Sequence, residues 1–376
     1  MIKSILSLLL FSLVLFSCQK DDNKLVIEGE LSNLTTPYFL ASSRVSDTIR
    51  IDTVYVDEKG KFSYIQHVDT STIFTFYFND FNSSTIVFSD KGVNKIKLKG
   101  DAKLSDLIEI KGGRINEDLS LFKKENETLL KQRTLLMKKM EFETDSLLNS
   151  ASFSILEKEE TATLNSINHQ LAQNVEDFIV SKPDRIASVV LINEFFKNNE
   201  NPETLNRVLG YLEGDALLFP LTYKLKNYNE KLMLSSEGAT MPHFKLKVND
   251  DEYIESSDFE DKFLLISFLS SSGDASRENV QILRDTYSSL DTIDINFLSI
   301  YIDSDSLPIK NILLDSIPWK VIVEEKSWGS DIVDAFNINY LPYNILIDSE
   351  GKIITRDIPV SDVKNLIDTK TKKSKK

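Results

Sequence analysis

The side chains that carry most protein chemistry are scarce in this chain. Its 376 residues hold one cysteine, Cys18, and three histidines, His67, His169 and His243. A lone thiol forms no intramolecular disulfide and no Cys-x-x-Cys pair, and it cannot supply a structural zinc site. The histidines fall in three different segments, so they predict no shared metal site. Asp303-Ser304-Asp305 opens like a calcium loop but lacks the glycine and terminal glutamate that complete one. There is no GxxxxGKS/T or GxGxxG run, which removes the common phosphate- and dinucleotide-binding loops. A serine nucleophile would have to pair Ser276 with His243, and no GxSxG elbow surrounds that serine. The sequence therefore predicts no catalytic residue, no metal and no cofactor. With 44 Lys and Arg against 58 Asp and Glu, the net charge is −14, which repels nucleic acid and predicts no nucleic-acid partner.

Those few groups depend on the elements around them, beginning at the N-terminus. Lys3 precedes an apolar run from Ile5 to Phe16. It is shorter than the roughly 20 residues that span a bilayer and reads as the core of a signal peptide over 1–17. Leu15-Phe16-Ser17-Cys18 resembles the bacterial lipoprotein lipobox, although Phe16 is bulkier than usual. That resemblance implies cleavage before Cys18, acylation of its thiol and a membrane partner held through lipid. Two or three acyl chains, at ~0.8 kcal/mol per buried CH₂, make a durable anchor. An ordinary signal peptide that happens to contain a cysteine is the alternative. Residues 18–24 form a polar tether in which Gln19, Lys20, Asp21 and Asp22 resemble the lipoprotein export signal of Bacteroidota. This implies an outer-membrane lipoprotein exposed at the cell surface, with periplasm-facing attachment as the alternative.

Three segments follow. Over 25–110 the pattern is that of β-strands. Ile49–Val56 alternates apolar and polar residues, Asp57-Glu58-Lys59-Gly60 supplies turn chemistry, and Lys61–Ile65 alternates again, which predicts a hairpin. Further strands are expected at Ile73–Phe78 and Val93–Leu98, giving a small antiparallel β-sandwich-like domain whose aromatics form a core rather than a sugar-binding face. Over 111–233 the spacing turns helical. Ile115, Leu119, Phe122, Leu129, Leu136 and Met140 make one stripe, and Phe153 to Phe178 another. A long antiparallel helical hairpin is the simpler reading and a dimerising coiled coil the alternative. Pro183 should end the second stripe, and Asn201-Pro202 should start a later helix as cap and first-turn proline. Over 238–369 strands and helices alternate. Strands are expected at Lys262–Leu269, Ile293–Ile302 and Trp319–Val323, helices at Ser276–Leu290 and Trp328–Phe336, a hairpin over Tyr343–Ile358, and a closing helix at Ser361–Ile367. Residues 370–376, with five lysines, form a basic tail expected to be solvated and unstructured.

Gly238-Ala239-Thr240-Met241-Pro242-His243-Phe244 resembles the opening of TlpA-like thioredoxin domains, a family related to AhpC-TSA proteins. Phe336–Pro342, Ile345–Asp348 and Gly351-Lys352 are similar to that family's cis-proline strand and hairpin. Asp52-Thr53-Val54 and Gly60-Lys61-Phe62 resemble landmarks of the β domain that precedes such domains in Bacteroidota lipoproteins. The resemblance implies a multi-domain protein: a β-sandwich-like domain, a helical insert and a C-terminal α/β thioredoxin-like fold in which Pro342 is cis. It breaks at the chemistry. Where the family carries Cys-x-x-Cys, this chain has Gly273, Asp274, Ala275 and Ser276. Serine does not ionise near neutral pH and forms no disulfide. Asp274 and Ser276 read as helix caps in a degenerate loop. The expectation is a redox-inactive domain acting as a binding or scaffold module for a protein or peptide partner. A thiol-disulfide oxidoreductase or peroxidase-related enzyme is the alternative.

Overall fold

The computed structural model describes residues 23–45, 48–69, 71–79, 83–90, 92–146, 151–197, 201–248, 251–271, 273–290, 295–302, 317–324 and 326–374. The leader, Cys18, Gln19, Lys20, Asp21 and Asp22 lie outside them, as do Asp303-Ser304-Asp305. The chain forms two compact units. One runs to Leu191 and takes back Glu213–Ala216; the other holds Ile192–Leu212 and Leu217 onward. The helical region expected over 111–233 is thus shared between the two units.

The first unit begins with eight strands: β1 (Lys24–Ser32), β2 (Tyr38–Val45), β3 (Thr48–Tyr55), β4 (Lys61–His67), β5 (Thr72–Phe78), β6 (Ser83–Ser89), β7 (Lys95–Asp101) and β8 (Glu109–Lys111). They make two sheets, ordered β4-β1-β7-β8 and β3-β2-β5-β6. Alternation buries one face of each sheet in a common core, with Leu25, Ile27, Phe62, Ile96 and Leu98 from one and Phe39, Phe74, Phe76, Phe78 and Val87 from the other. The rings interlock edge to face, as where Phe39 meets Phe62 at 4.9 Å.

Two expectations need correcting here. The domain is not wholly antiparallel, because β1 runs parallel to β7. Nor do β3 and β4 form a hairpin, since β3 pairs with β2 and β4 with β1. The turn chemistry at Asp57–Gly60 is real, but it makes a corner between sheets. Asp57 accepts the amides of Lys61 (2.8 Å) and Lys59 (2.9 Å), which hold its carboxyl below the usual range, the Lys61 amide most. Gly60 has φ +74° and sits so close to β1 that a Cβ would lie 2.0 Å from the Leu31 carbonyl oxygen. Alternation alone cannot tell a hairpin from a sheet-to-sheet corner, because both leave the same face buried. Across the corner, Asp52 on β3 accepts from the Tyr64 hydroxyl (2.6 Å) and Gln66 Nε2 (3.2 Å) on β4. Burial, and then the Asp52 bond, push the Tyr64 phenol above its ordinary value.

Helix α1 (Arg114–Glu125) closes the β6 edge. Asn116 is buried; its Oδ1 accepts the Phe88 amide (2.9 Å), and its Nδ2 donates to the Phe88 and Gly112 carbonyls (2.6 and 2.7 Å). The side-chain amide thus stands in for a neighbouring strand. Gly113, at the N-cap, offers no side chain, so Asp90 takes the first-turn amides instead. Burial raises the Asp90 carboxyl against the pull of those amides. Helices α2 (Glu127–Ser146) and α3 (Ala151–Ser181) form the expected antiparallel pair. Asn126 bonds Asn174, Arg133 bonds Asn168, and Lys139 pairs with Glu160, so positions on α3 fall as those on α2 rise. Helix α3 stops two residues before Pro183, and α4 (Ile186–Phe195) follows.

In the second unit Asn201 caps α5 (Pro202–Leu209) through the Thr204 amide, with the proline in the first turn as the sequence predicts. Helix α6 (Gly214–Leu218) belongs to the first unit as far as Ala216, and from Leu217 the second unit continues through α7 (Pro220–Leu234) to a small ladder, β9 (Lys245–Lys247) with β10 (Tyr253–Glu255). Then come β11 (Phe263–Leu269), α8 (Asp274–Ser289), β12 (Ile295–Tyr301), β13 (Lys320–Val323), α9 (Asp331–Ala335), β14 (Tyr343–Ile347), β15 (Ile353–Arg356) and α10 (Val363–Ser374). The sheet order is β13-β12-β11-β14-β15. Strand β11 is central and buried on both faces. Leu264, Ile266 and Phe268 enter one core, while Leu265 packs with Leu283, Val363 and Ile367 in the other. The basic tail departs from expectation: α10 continues to Ser374, because no glycine or proline interrupts a run of lysines and threonines.

Asn116→Ala would strand the buried Phe88 amide and carbonyl, so a loss of about 2–4 kcal/mol is expected in urea unfolding. A change within about 0.5 kcal/mol, the range of an ordinary surface substitution, would contradict the strand-mimic role.

Candidate functional site

In the second unit the chemistry-bearing positions gather at the C-terminal end of β11. That strand pairs parallel with β12 on one side and antiparallel with β14 on the other. The chain fills the sheet first toward β13 and then returns on the far side of β11, which makes this end a topological switch point, where open α/β sheets bind ligands. Phe268 faces Tyr343 in the register, so Pro342 stands abreast of Leu269, beside the loop Ser270–Gly273. The Leu341–Pro342 peptide is cis. A βαβ unit leading into an antiparallel β-hairpin, with a cis-proline opposite the loop before the first helix, matches the architecture the sequence resembles. The C-terminal domain has a thioredoxin-like fold.

Gly273, Asp274, Ala275 and Ser276 each have a definite place. Gly273 is the N-cap of α8, at φ −85° and ψ 130°, and supplies no side-chain cap. Asp274 occupies the first helical position, is exposed and pairs with Arg277 one turn on; its charge also suits the positive end of the helix. Ala275 is exposed. Ser276 is 2 % exposed, and its Oγ accepts the Ser270 amide at 3.0 Å. The expected capping role of Asp274 and Ser276 is therefore corrected, since neither is the N-cap. The serine instead turns inward and ties the end of β11 to the first turn of α8.

Gly273 and Ser276 nevertheless retain a paired geometry. A Cβ built on Gly273 lies 3.9 Å from the Ser276 Cβ and 3.7 Å from its Oγ. A disulfide wants Cβ atoms about 3.5–4.5 Å apart. The backbone thus holds the spacing of a dithiol site without the sulfurs. Gly273 also has an ordinary negative φ, so the conformation itself does not require glycine there.

Beside the loop a cavity of about 140 Å³ is lined by Ser270, Ser276, Val280, Arg284, Tyr301 and Ile317, among others. Sequence reasoning missed Val280, Arg284 and Tyr301. The first two were legible, because Ser276, Val280 and Arg284 follow at intervals of four and share one face of α8. Tyr301 arrives through the β11–β12 register, opposite Leu269, and no local signal reports that. His243 is bonded through Nδ1 to the Ser256 hydroxyl at 2.8 Å. With Ser276 buried and accepting a backbone amide, the serine–histidine pairing gains no support. Among the described residues no group of three His, Cys, Asp or Glu side chains could hold a metal ion, and no helix is long and apolar enough to cross a membrane.

Comparison with known proteins adds the following. The profile of a domain of unknown function, DUF4369, matches residues 25–119. No curated protein matches the chain. Among solved structures, the chain is similar to a thiol-disulfide oxidoreductase from Bacteroides fragilis, at 25% identity, covering 35% of this chain and 98% of that one with a TM-score of 0.30. It is also similar to the thioredoxin domain of a thiol-disulfide oxidoreductase from Bacteroides vulgatus, at 21% identity, covering 36% and 96% with a TM-score of 0.33. A thioredoxin-like protein from Bacteroides caccae matches at 14% identity, covering 59% and 88% with a TM-score of 0.41. The fold assignment above rests on strand order, register and the cis peptide.

The retained spacing is testable. In a chain beginning at Gln19, the double variant Gly273→Cys with Ser276→Cys should oxidise to an intramolecular disulfide, with no free thiol left in titration. Persistent free thiols, or disulfide-linked dimers only, would show that these two positions do not face one another.

Proposed function

We propose that this protein is a lipid-anchored lipoprotein of the bacterial cell envelope, whose thioredoxin-like domain is redox-inactive and serves as a binding or scaffold module. The observation that carries the reading is the Gly273–Ser276 pair: disulfide spacing kept in the backbone, with hydrogen and hydroxyl where thiols would be needed. Thiol–disulfide exchange and peroxide reduction both begin with a thiolate. The chain from Gln19 onward contains no cysteine. An oxidoreductase or peroxidase reading therefore lacks its reacting atom.

A binding role is supported by what remains at the switch point. A cis-proline stands beside the loop at the end of β11, where an extended peptide would lie, and the neighbouring cavity of about 140 Å³ has room for an apolar side chain. In the first unit, the two sheets around one core support a sandwich-like reading of the β domain, its parallel pair notwithstanding. Cys18, by its lipobox-like setting, is the acylated anchor, and Gln19, Lys20, Asp21 and Asp22 favour export to the outer face of the outer membrane.

Two measurements test the proposal. The chain from Gln19 should reduce insulin disulfides no faster than buffer, and reproducible turnover would refute redox inactivity. On intact cells, added protease should digest the protein while a periplasmic control survives. Full protection until lysis would overturn the surface placement and leave periplasm-facing attachment.

A further inference from the structure

Natural sheets guard their edges, because an unpaired strand offers a row of amides and carbonyls to any passing chain. Most edges here are guarded. Asn116 occupies both backbone groups of Phe88 on β6, and Ser120 does the same for Ile110 on β8, accepting its amide and donating to its carbonyl, both at 2.9 Å. Strand β4 turns Lys61 and His67 outward. In the second unit the segment from Gly238 to Thr240 pairs along β15.

Strand β3 is different. It is the outermost strand of its sheet, and its eight residues pair with β2 without a register break. It contains no proline and no lysine. Ile49, Ile51 and Tyr55 are 67%, 60% and 72% exposed. They continue an outer sheet face that also carries Tyr38, Leu40, Thr53, Ile73 and Ile86, with Arg44 the one charged position the register places on it, opposite Ile49.

We propose that β3 is a dimerisation edge and that its occupant is the β3 of a second copy of this chain. The choice of partner rests on the strand's own sequence. Two antiparallel copies related by a two-fold axis through Ile51 bring Ile51 against Ile51, Ile49 against Thr53, and Arg50 against Asp52 twice over. The two charged residues already lie within reach on one strand, with Arg50 Nε 3.1 Å from Asp52 Oδ1. In the pair each would gain an opposite charge across the interface, and opposite charges directly across a ladder are favourable while like charges are not. A two-fold contact requires a surface complementary to itself, and this register supplies one. The result is one continuous sheet of eight strands, with the outer faces of both copies on the same side. The proposal is independent of the redox reading.

The test uses the chain from Gln19, which has no native thiol, and combines mass with geometry. Sedimentation should give a dimer at high protein concentration. Ile51→Cys places its thiol on the two-fold axis, where facing Cα atoms in an antiparallel ladder are about 4.5–5.5 Å apart, within the span of a disulfide. Mild oxidation should link that variant into dimers, whereas Ile65→Cys, half exposed on β4, should stay monomeric in denaturing gels. Ile51→Lys and Arg50→Asp should each abolish the dimer, both being at exposed positions where folding tolerates the change. A monomer at every concentration would overturn the proposal. So would a dimer that Ile51→Cys does not link or that Ile51→Lys leaves intact, since either would place the contact on another surface.

Discussion

Everything at the candidate site depends on β11 being buried on both faces. Phe263–Leu269 must supply apolar side chains in both directions, because one face closes on Phe244, Phe259 and Phe336 and the other on the helices behind. Such a strand belongs at the centre of a sheet. Its central place, with a parallel neighbour on one side and an antiparallel one on the other, creates the switch point. Once β11 is fixed, the loop that leaves it and the proline that approaches β14 have to meet at its end. The Ser276 hydroxyl then draws the start of α8 back onto Ser270 and completes the arrangement.

On the proposed reading, the geometry and the chemistry of that site have separated. Packing and register define where two cysteines would stand, and neither depends on sulfur. A buried serine can satisfy a loop amide and so stabilise the same turn. What it cannot supply is an ionisable, polarisable nucleophile at neutral pH. A fold kept by its core can therefore keep the spacing of an exchange site whether or not thiols occupy it.

Much of this was legible in sequence and some was not, for identifiable reasons. The elements of the C-terminal domain were readable because β11 and β12 are unbroken apolar runs and α8 has a clear amphipathic period. Asn201-Pro202 announced α5 through local chemistry alone. The corner at Asp57–Gly60 was misread, because turn residues specify a reversal of the chain without specifying which strand comes next. Asn116 gave no signal, since a single asparagine near a helix start looks like any polar residue until its backbone partners on β6 are known. At the loop, Asp274 and Ser276 both have capping propensity, but Gly273 took the cap because burying Ser276 against Ser270 fixes the helix start one residue earlier. The parallel pairing of β1 with β7 was likewise hidden, being a contact between strands far apart in sequence.

The separation of geometry from chemistry is most directly tested by amide NMR of the chain from Gln19, recorded in fully oxidised and in fully reduced glutathione. A domain without thiols predicts identical spectra, including the resonances of Ser270, Gly273, Ser276 and Tyr343. Shifts confined to those residues would show that the site still responds to redox state and would contradict the account.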